Sequence, residues 1–282
     1  MRTVAILLAT YNGEKYIKEQ LESLVHQTYQ DWHLYVHDDG SQDNTVNIVR
    51  DFSTAYPGKI TIMDYPPTGG PCKNFLSMVE KVEAAYYMFC DQDDVWLPEK
   101  IQLSMTALEE AERTVPDKGV VVHTDLRIVD EQLSPIAGSM WEHAGIFPQY
   151  IKTFVDSGGH TAIATGCTML FNAEAKKCCD VPSGKAIMHD CWVCLCVLSK
   201  GGVVKGINEK TVLYRQHGCN TLGAADTAAH QIGIRYRLLH LGKIYDSNAR
   251  YYAMLSSLGY GSWLKYLSAK INYKRRIRRG RY

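Results

Sequence analysis

Five short stretches of this chain carry residue types that do chemistry. Phe89 to Trp96 reads FCDQDDVW and sets three carboxylates, Asp91, Asp93 and Asp94, within four positions directly behind the apolar run Tyr86-Tyr87-Met88-Phe89. Like charges this close repel, and burying them without partners is costly. A solvated acidic loop would relieve the repulsion, and so would a hard divalent cation. The apolar strand before the cluster and Val95-Trp96-Leu97 after it favour the cation, with Asp91 and Asp93 aimed at it across one residue and other oxygen ligands supplied by phosphate. TYNG, Thr10 to Gly13, is a strong turn former that also places a tyrosine where it can stack on a base. HDDGS, His37 to Ser41, serves equally as a strand end before a helix cap, helped by Asp43, or as a carboxylate that accepts hydrogen bonds from a base or ribose. MHDCW, Met188 to Trp192, puts Asp190 at a helix start, as a charge that complements the dipole or as a general base. YRQHG, Tyr214 to Gly218, offers His217 as a surface imidazole or as a further metal ligand.

These residues need elements to hold them. Val4 to Ala9 is a continuous apolar strand, Glu14 to His26 carries Ile17, Leu21, Leu24 and Val25 at helical spacing, and Trp32 to His37 is a second strand. Asp43 to Phe52 predicts a second helix, KITIMDY a third strand, Asn74 to Ala84 a helix, and Tyr86 to Cys90 the fourth strand. Such βαβαβαβ alternation predicts a mostly parallel sheet flanked by helices, with ligands bound at the carboxyl ends of its strands. TYNG, DDGS and DQDD all fall at those ends. Further on, Val120 to Asp130, Ala164 to Asn172 and Thr211 to Gly218 read as strands, Asp190 to Leu198 as a helix, and the chain from His230 onward as helical.

In their joint order, TYNG, DDGS, DQDD, HDCW and RQH, the motifs make the chain resemble the inverting nucleotide-sugar glycosyltransferases of family 2, over about residues 3 to 220. Within that family it is most similar to bacterial rhamnosyltransferases that build cell-surface polysaccharides. The resemblance implies an α/β GT-A fold over residues 1–225 and a helical, basic extension over 226–282. It also implies that Thr10, Tyr11, Asn12, Asp39 and Asp91 hold the nucleotide and that Asp93 and His217 hold Mg²⁺ or Mn²⁺. Asp190 then matches the catalytic base, with His189 where the family commonly has Glu. Thr165, Gly166, His189 and Trp192 match the acceptor side. The implied reaction moves a sugar from dTDP-rhamnose or a UDP-sugar onto a hydroxyl of a lipid-linked saccharide.

Bulk properties bound these expectations. The chain has 282 residues, enough for one large domain with an appendage, and a formal charge of +1. Its charge is unevenly spread: Lys265, Lys270, Lys274, Arg275, Arg276, Arg278, Arg279 and Arg281 meet no acid between 261 and 282, which leaves the first 260 residues at −7. Interleaved with Trp263, Leu264, Tyr266, Leu267, Ile271 and Tyr273, the basic residues predict a helix lying on anionic lipid, removable without loss of donor chemistry. An acidic body would repel a duplex, so no nucleic-acid partner is expected. The lack of a membrane-length apolar run and of a leader pattern at MRTVAILLATYNG predicts a cytoplasmic location, peripheral on the inner membrane face. Nine cysteines, mostly in apolar surroundings, read as reduced core thiols; CWVCLC lacks the second pair a zinc site needs. A sugar-nucleotide pyrophosphorylase is the competing enzyme, but no glycine-rich basic segment follows the first strand.

Overall fold

The computed structural model describes residues 2–160, 163–181, 184–218 and 241–279. Strands β1 (Val4–Thr10), β2 (Trp32–Asp38), β3 (Ile60–Ile62) and β4 (Tyr86–Cys90) alternate with helices α1 (Ile17–Val25), α2 (Thr45–Ala55) and α3 (Pro71–Lys81). There follow β5 (Val95–Trp96), α4 (Lys100–Thr114), β6 (Val120–Val129), β7 (Pro135–Ala137), α5 (Met140–Ala144), β8 (Met169–Asn172), α6 (Ala173–Cys178), α7 (His189–Ser199) and β9 (Val203–Arg215). Two helices close the described chain, α8 (Leu241–Ser257) and α9 (Trp263–Arg279). The sheet runs β3-β2-β1-β4-β8-β6-β9-β5, with β7 paired to β6. β1 to β4, β6 and β9 point one way; β5, β7 and β8 oppose them.

β1 lies parallel between β2 and β4, covered on both faces, which is why its sequence is continuously apolar rather than alternating. Period-two geometry still sorts its side chains. Ala5, Leu7, Tyr87 and Phe89 join the core under α3, α7, α8 and α9. Val4, Ile6, Leu8, Tyr86, Met88 and Cys90 join the core under α1, α2 and α4. Helix α7 is apolar all round and buried all round, with Cys191, Cys194 and Cys196 packed as core thiols.

Three expectations change. The strand predicted from Ala164 begins only at Met169, because Gly166–Thr168 forms a 3-10 turn. The strand predicted from Thr211 is the end of β9, which starts at Val203 and pairs in parallel with β6. The tail is not free to lie wholly on lipid: Tyr266, Ala269, Tyr273 and Ile277 of α9 are buried, and Tyr266, Tyr273 and Ile277 share the α7 core. Residues 219–240, which include Cys219, the expected boundary at 225 and the onset of helix at His230, lie outside the described residues. Among the described residues no helix is long and apolar enough to cross a membrane.

Candidate active site

Two loops leave the carboxyl ends of β1 and β2 and hold each other. Asn12, at φ +48, donates its backbone N–H to Ser41 Oγ at 2.8 Å, and its Oδ1 accepts the Gln42 N–H at 2.8 Å. Asp38 organises the second loop, accepting Thr10 Oγ1 at 2.7 Å, Ser41 Oγ at 2.6 Å and the Gly40 and Ser41 amides. Asp39 reaches the other way and accepts from Thr68 Oγ1 and from the amides of Thr68, Gly69 and Gly70. Burial alone would raise its carboxyl, but these donors win and hold it below the usual carboxylate range. Tyr11 stays 56% exposed at the rim, free to stack. Gln92 ties the third loop to the first: its amide donates to Tyr11 O and accepts from Tyr11 N, both at 2.9 Å. Tyr11, Asn12 and Asp39 are thus on one rim with Asp91, while Thr10 is buried with its hydroxyl given to Asp38; Asn12 shapes the loops, and Asp39 keeps room at Oδ2, which accepts only the Gly70 amide.

The acidic loop divides into an outer and an inner half. In the outer half, the Asp93 carboxylate meets His217 Nε2 at 2.7 Å, joining residues 124 positions apart. In the inner half, Cys167 Sγ and one oxygen each of Asp91 and Asp94 lie within 4.8 Å of one another. Burial pushes Asp91 up to about 7, helped by Asp93 and Asp190, and pushes Asp94 up as well. Two buried basic residues lie near this loop. Arg215 is fully buried: its backbone N–H donates to Asp94 Oδ1 at 3.1 Å, its Nε to Asp93 O at 2.9 Å and its guanidinium to Glu131 O, with an ion pair to Glu19. Lys100 is 0% exposed, with Nζ 4.5 Å from the Trp96 ring centroid; burial lowers it to about 8 against the pull of Cys167, Cys90 and Asp94.

The two halves therefore differ as ligand sets. The inner half sets a thiol beside two carboxyls that burial pushes toward the protonated acid, and within it neither Asp94 Oδ2 nor the nearby Lys100 Nζ has a hydrogen-bond partner. The outer pair, a hard carboxylate oxygen and an imidazole nitrogen, suits Mg²⁺ or Mn²⁺ completed by phosphate oxygens.

Asp190 sits in the first turn of α7 and faces the rim. Its Oδ2 accepts the Gly166 N–H at 3.1 Å and its Oδ1 the Cys191 N–H at 2.6 Å. Burial raises its carboxyl to about 6 although these donors oppose the rise. Gly166 is glycine for a reason of space, since a Cβ there would lie 2.6 Å from His189 Nε2. Thr165 caps the turn that carries Gly166, its carbonyl accepting from Thr168. Expected on the acceptor side, His189 and Trp192 are instead core residues. His189 packs 4.2 Å from Phe75 and 4.6 Å from Phe89, and Trp192 is 1% exposed with Nε1 donating to Asp180 O. Helix α7 is covered on every side, so only its first turn, through Asp190, reaches the cleft. Sequence reasoning passed over Arg215, Gln92, Cys167 and Lys100. The first three stand inside stretches quoted for other reasons, Cys167 within Ala164 to Asn172, whereas nothing local marks Lys100.

A nucleotide-fold rim, an acidic loop with an outer carboxylate–imidazole pair and a buried carboxylate anchored beside it define a GT-A glycosyltransferase. The Glycosyl transferase family 2 model matches residues 5–178, and the chain belongs to that family. It is 40% identical over 105 residues to the dTDP-rhamnosyl transferase RfbG of Shigella flexneri, covering 36% of each chain. It is 23% identical over 275 residues to an uncharacterized glycosyltransferase of Nostoc, covering 96% of this chain and 81% of that one. In fold it is similar to S. aureus TarS residues 1–349 in complex with UDP, at TM-score 0.59, 15% identity and 99% and 92% coverage. A mannosyltransferase from Pyrobaculum calidifontis in complex with GDP-Man and Mn²⁺ gives TM-score 0.57 at 14% identity, over 95% and 86% of the two chains. The alignments to RfbG and to a Rickettsia prowazekii glycosyltransferase span only 36% and 38% of those proteins.

Proposed function

We propose that this protein is an inverting glycosyltransferase that moves rhamnose from dTDP-rhamnose onto a hydroxyl of a lipid-linked glycan in bacterial cell-surface polysaccharide synthesis. The observation that carries the reaction type is Asp190. It is a carboxylate held by two backbone donors at the cleft floor, beside the acidic loop, with a proton affinity near neutral. An acceptor hydroxyl is a poor nucleophile, and Asp190 takes its proton as the new bond to the anomeric carbon forms. The bond from that carbon to the diphosphate oxygen breaks on the opposite side, so the centre inverts. Gly166 and Cys191 fix the carboxylate so that it needs no reorganisation at that moment.

On the donor side, Tyr11 stacks the base, Asp39 takes a base or ribose donor, and Asp91 borders the diphosphate. Asp93 and His217 would hold a divalent cation, which would supply Lewis-acid stabilisation of the leaving diphosphate. Rhamnose is supported by the similarity to RfbG; a UDP-sugar is the alternative supported by the TarS likeness. The protein works on the cytoplasmic side, peripheral to the inner face of the membrane that presents its acceptor. The test is a panel of nucleotide sugars with lipid-linked acceptors, read by product mass and by nucleoside diphosphate release with and without chelator. Release from dTDP-rhamnose alone, with a mass gain of one deoxyhexose, supports the proposal; no release from any donor sinks it.

A further inference from the structure

Helix α9 has two apolar faces, and only one of them is used by the fold. Tyr266, Ala269, Tyr273 and Ile277 recur at helical spacing and are buried against the segment 153–159 and the α7 core. Gly159 makes that contact possible, since a Cβ there would lie 2.7 Å from Tyr273 Cβ. On the outward side, Leu264, Leu267 and Ile271 are 77%, 39% and 52% exposed, also at helical spacing. Further along the same face stand Lys274, Arg275 and Arg278, with Arg279 beside them, all exposed. Arg276 is turned to the body instead, pairing with Asp156 at 3.0 Å. The surface is thus an apolar patch followed by a dense positive patch on one rigid helix, in a stretch without a single acid.

We infer that the outward face of α9 docks the protein on an anionic bilayer, with Leu264, Leu267 and Ile271 entering the interface and Lys274, Arg275, Arg278 and Arg279 meeting the headgroups. Charge complementarity selects the occupant, because 261–282 carries eight basic residues and no acid while residues 1–260 carry a net −7. The buried face gives the docking a consequence. Tyr273 accepts the Phe147 N–H at 3.1 Å, and Tyr251 of α8 donates to Ser157 O and His160 O. Docking through α9 therefore brings the body of the protein with it to the membrane surface, which matters to turnover only on the reading of a lipid-linked acceptor.

The experiment uses the full chain and vesicles of phosphatidylcholine, with and without phosphatidylglycerol, scored by co-sedimentation. Two variants are compared, Leu264→Gln/Ile271→Gln and Lys274→Gln/Arg275→Gln/Arg278→Gln. Nucleoside diphosphate binding and melting temperature verify that each is folded. The expected result is binding that requires phosphatidylglycerol, weakens at high salt and falls on the order of tenfold in each variant. Equal binding of both variants and wild type overturns the inference. So does a wild-type dimer that Leu264→Gln/Ile271→Gln dissociates, since the face would then be covered by a second copy. Vesicle binding needs neither donor nor acceptor, so a failure of transfer chemistry leaves it standing, and its failure leaves the reaction untouched.

Discussion

Asp190 links reactivity and stability with opposite signs. Its carboxyl is raised to about 6 by burial, so the folded protein favours the protonated acid. Stability from this group is complete below the ordinary carboxylate range and is lost as pH rises through about 6, while a general base gains activity over the same interval. Asp190→Asn should therefore cut turnover roughly 10²–10⁴-fold with nucleotide affinity unchanged. At pH 7.5 it sheds the cost of a buried charge but sets an amide donor against one of the two backbone N–H groups, so the melting temperature should move little. Turnover, calorimetric affinity and melting temperature on one variant check all three, and near-normal turnover refutes the assignment. At the outer pair, Asp93→Ala should abolish metal-dependent nucleotide binding, and His217→Ala should weaken it to an intermediate degree, both read by titration of Mn²⁺ in the presence of nucleotide. The approach of Asp93 to His217 came only from the family resemblance, because residues 124 positions apart carry no local sign of meeting. The burial of His189 and Trp192 was not legible, because in the sequence a helix start beside a cleft looks the same whether one residue or four reach the cleft.

At the scale of elements, the sequence was most readable where one element meets water on one side and the core on the other. Helix α1 keeps Ile17, Leu21 and Leu24 inside and its charges outside, and β4 was legible to the residue. Helix α4 passed unnoticed because Ile101, Met105 and Leu108 are spaced among polar residues, and two of its inward positions are Lys100 and Ser104. Strand β9 reads as polar at its start, Lys205 to Lys210, since parallel pairing with β6 rather than apolar content holds it there. Arg215, the last residue of β9, binds three elements together through donors in three directions. That geometry needs the guanidinium fork, which an ammonium on a flexible stem cannot reproduce. We expect Arg215→Lys to lose about 2–3 kcal/mol of stability, as befits hydrogen bonds from a charged buried donor. Chemical denaturation measures this, and a midpoint within error of wild type would show that the three anchors are not needed together.

Across the whole molecule, the basic tail read as an appendage because its charge and its aromatic residues were counted together. The structure separates them: the aromatic residues Tyr266 and Tyr273 complete the core, and most of the charge faces out. A truncation before Trp263 is therefore a core mutation. It removes the cover from the 156–159 turn and from Tyr251 of α8. Fully burying a large apolar side chain contributes about 1.5–3 kcal/mol, so losing Tyr266, Tyr273 and Ile277 together should cost on the order of 5 kcal/mol, enough to unfold many domains. The outward face carries none of that. Leu264→Gln should leave the urea midpoint within error of wild type, whereas Tyr266→Ala should lower it by about 3 kcal/mol in equivalent stability. The nucleotide rim rests on β1, β2 and β4, and these strands pack chiefly on α1 to α4 and α7. A truncated protein that melts and turns over like the full chain would place α9 outside the folding unit and leave its buried face without a role.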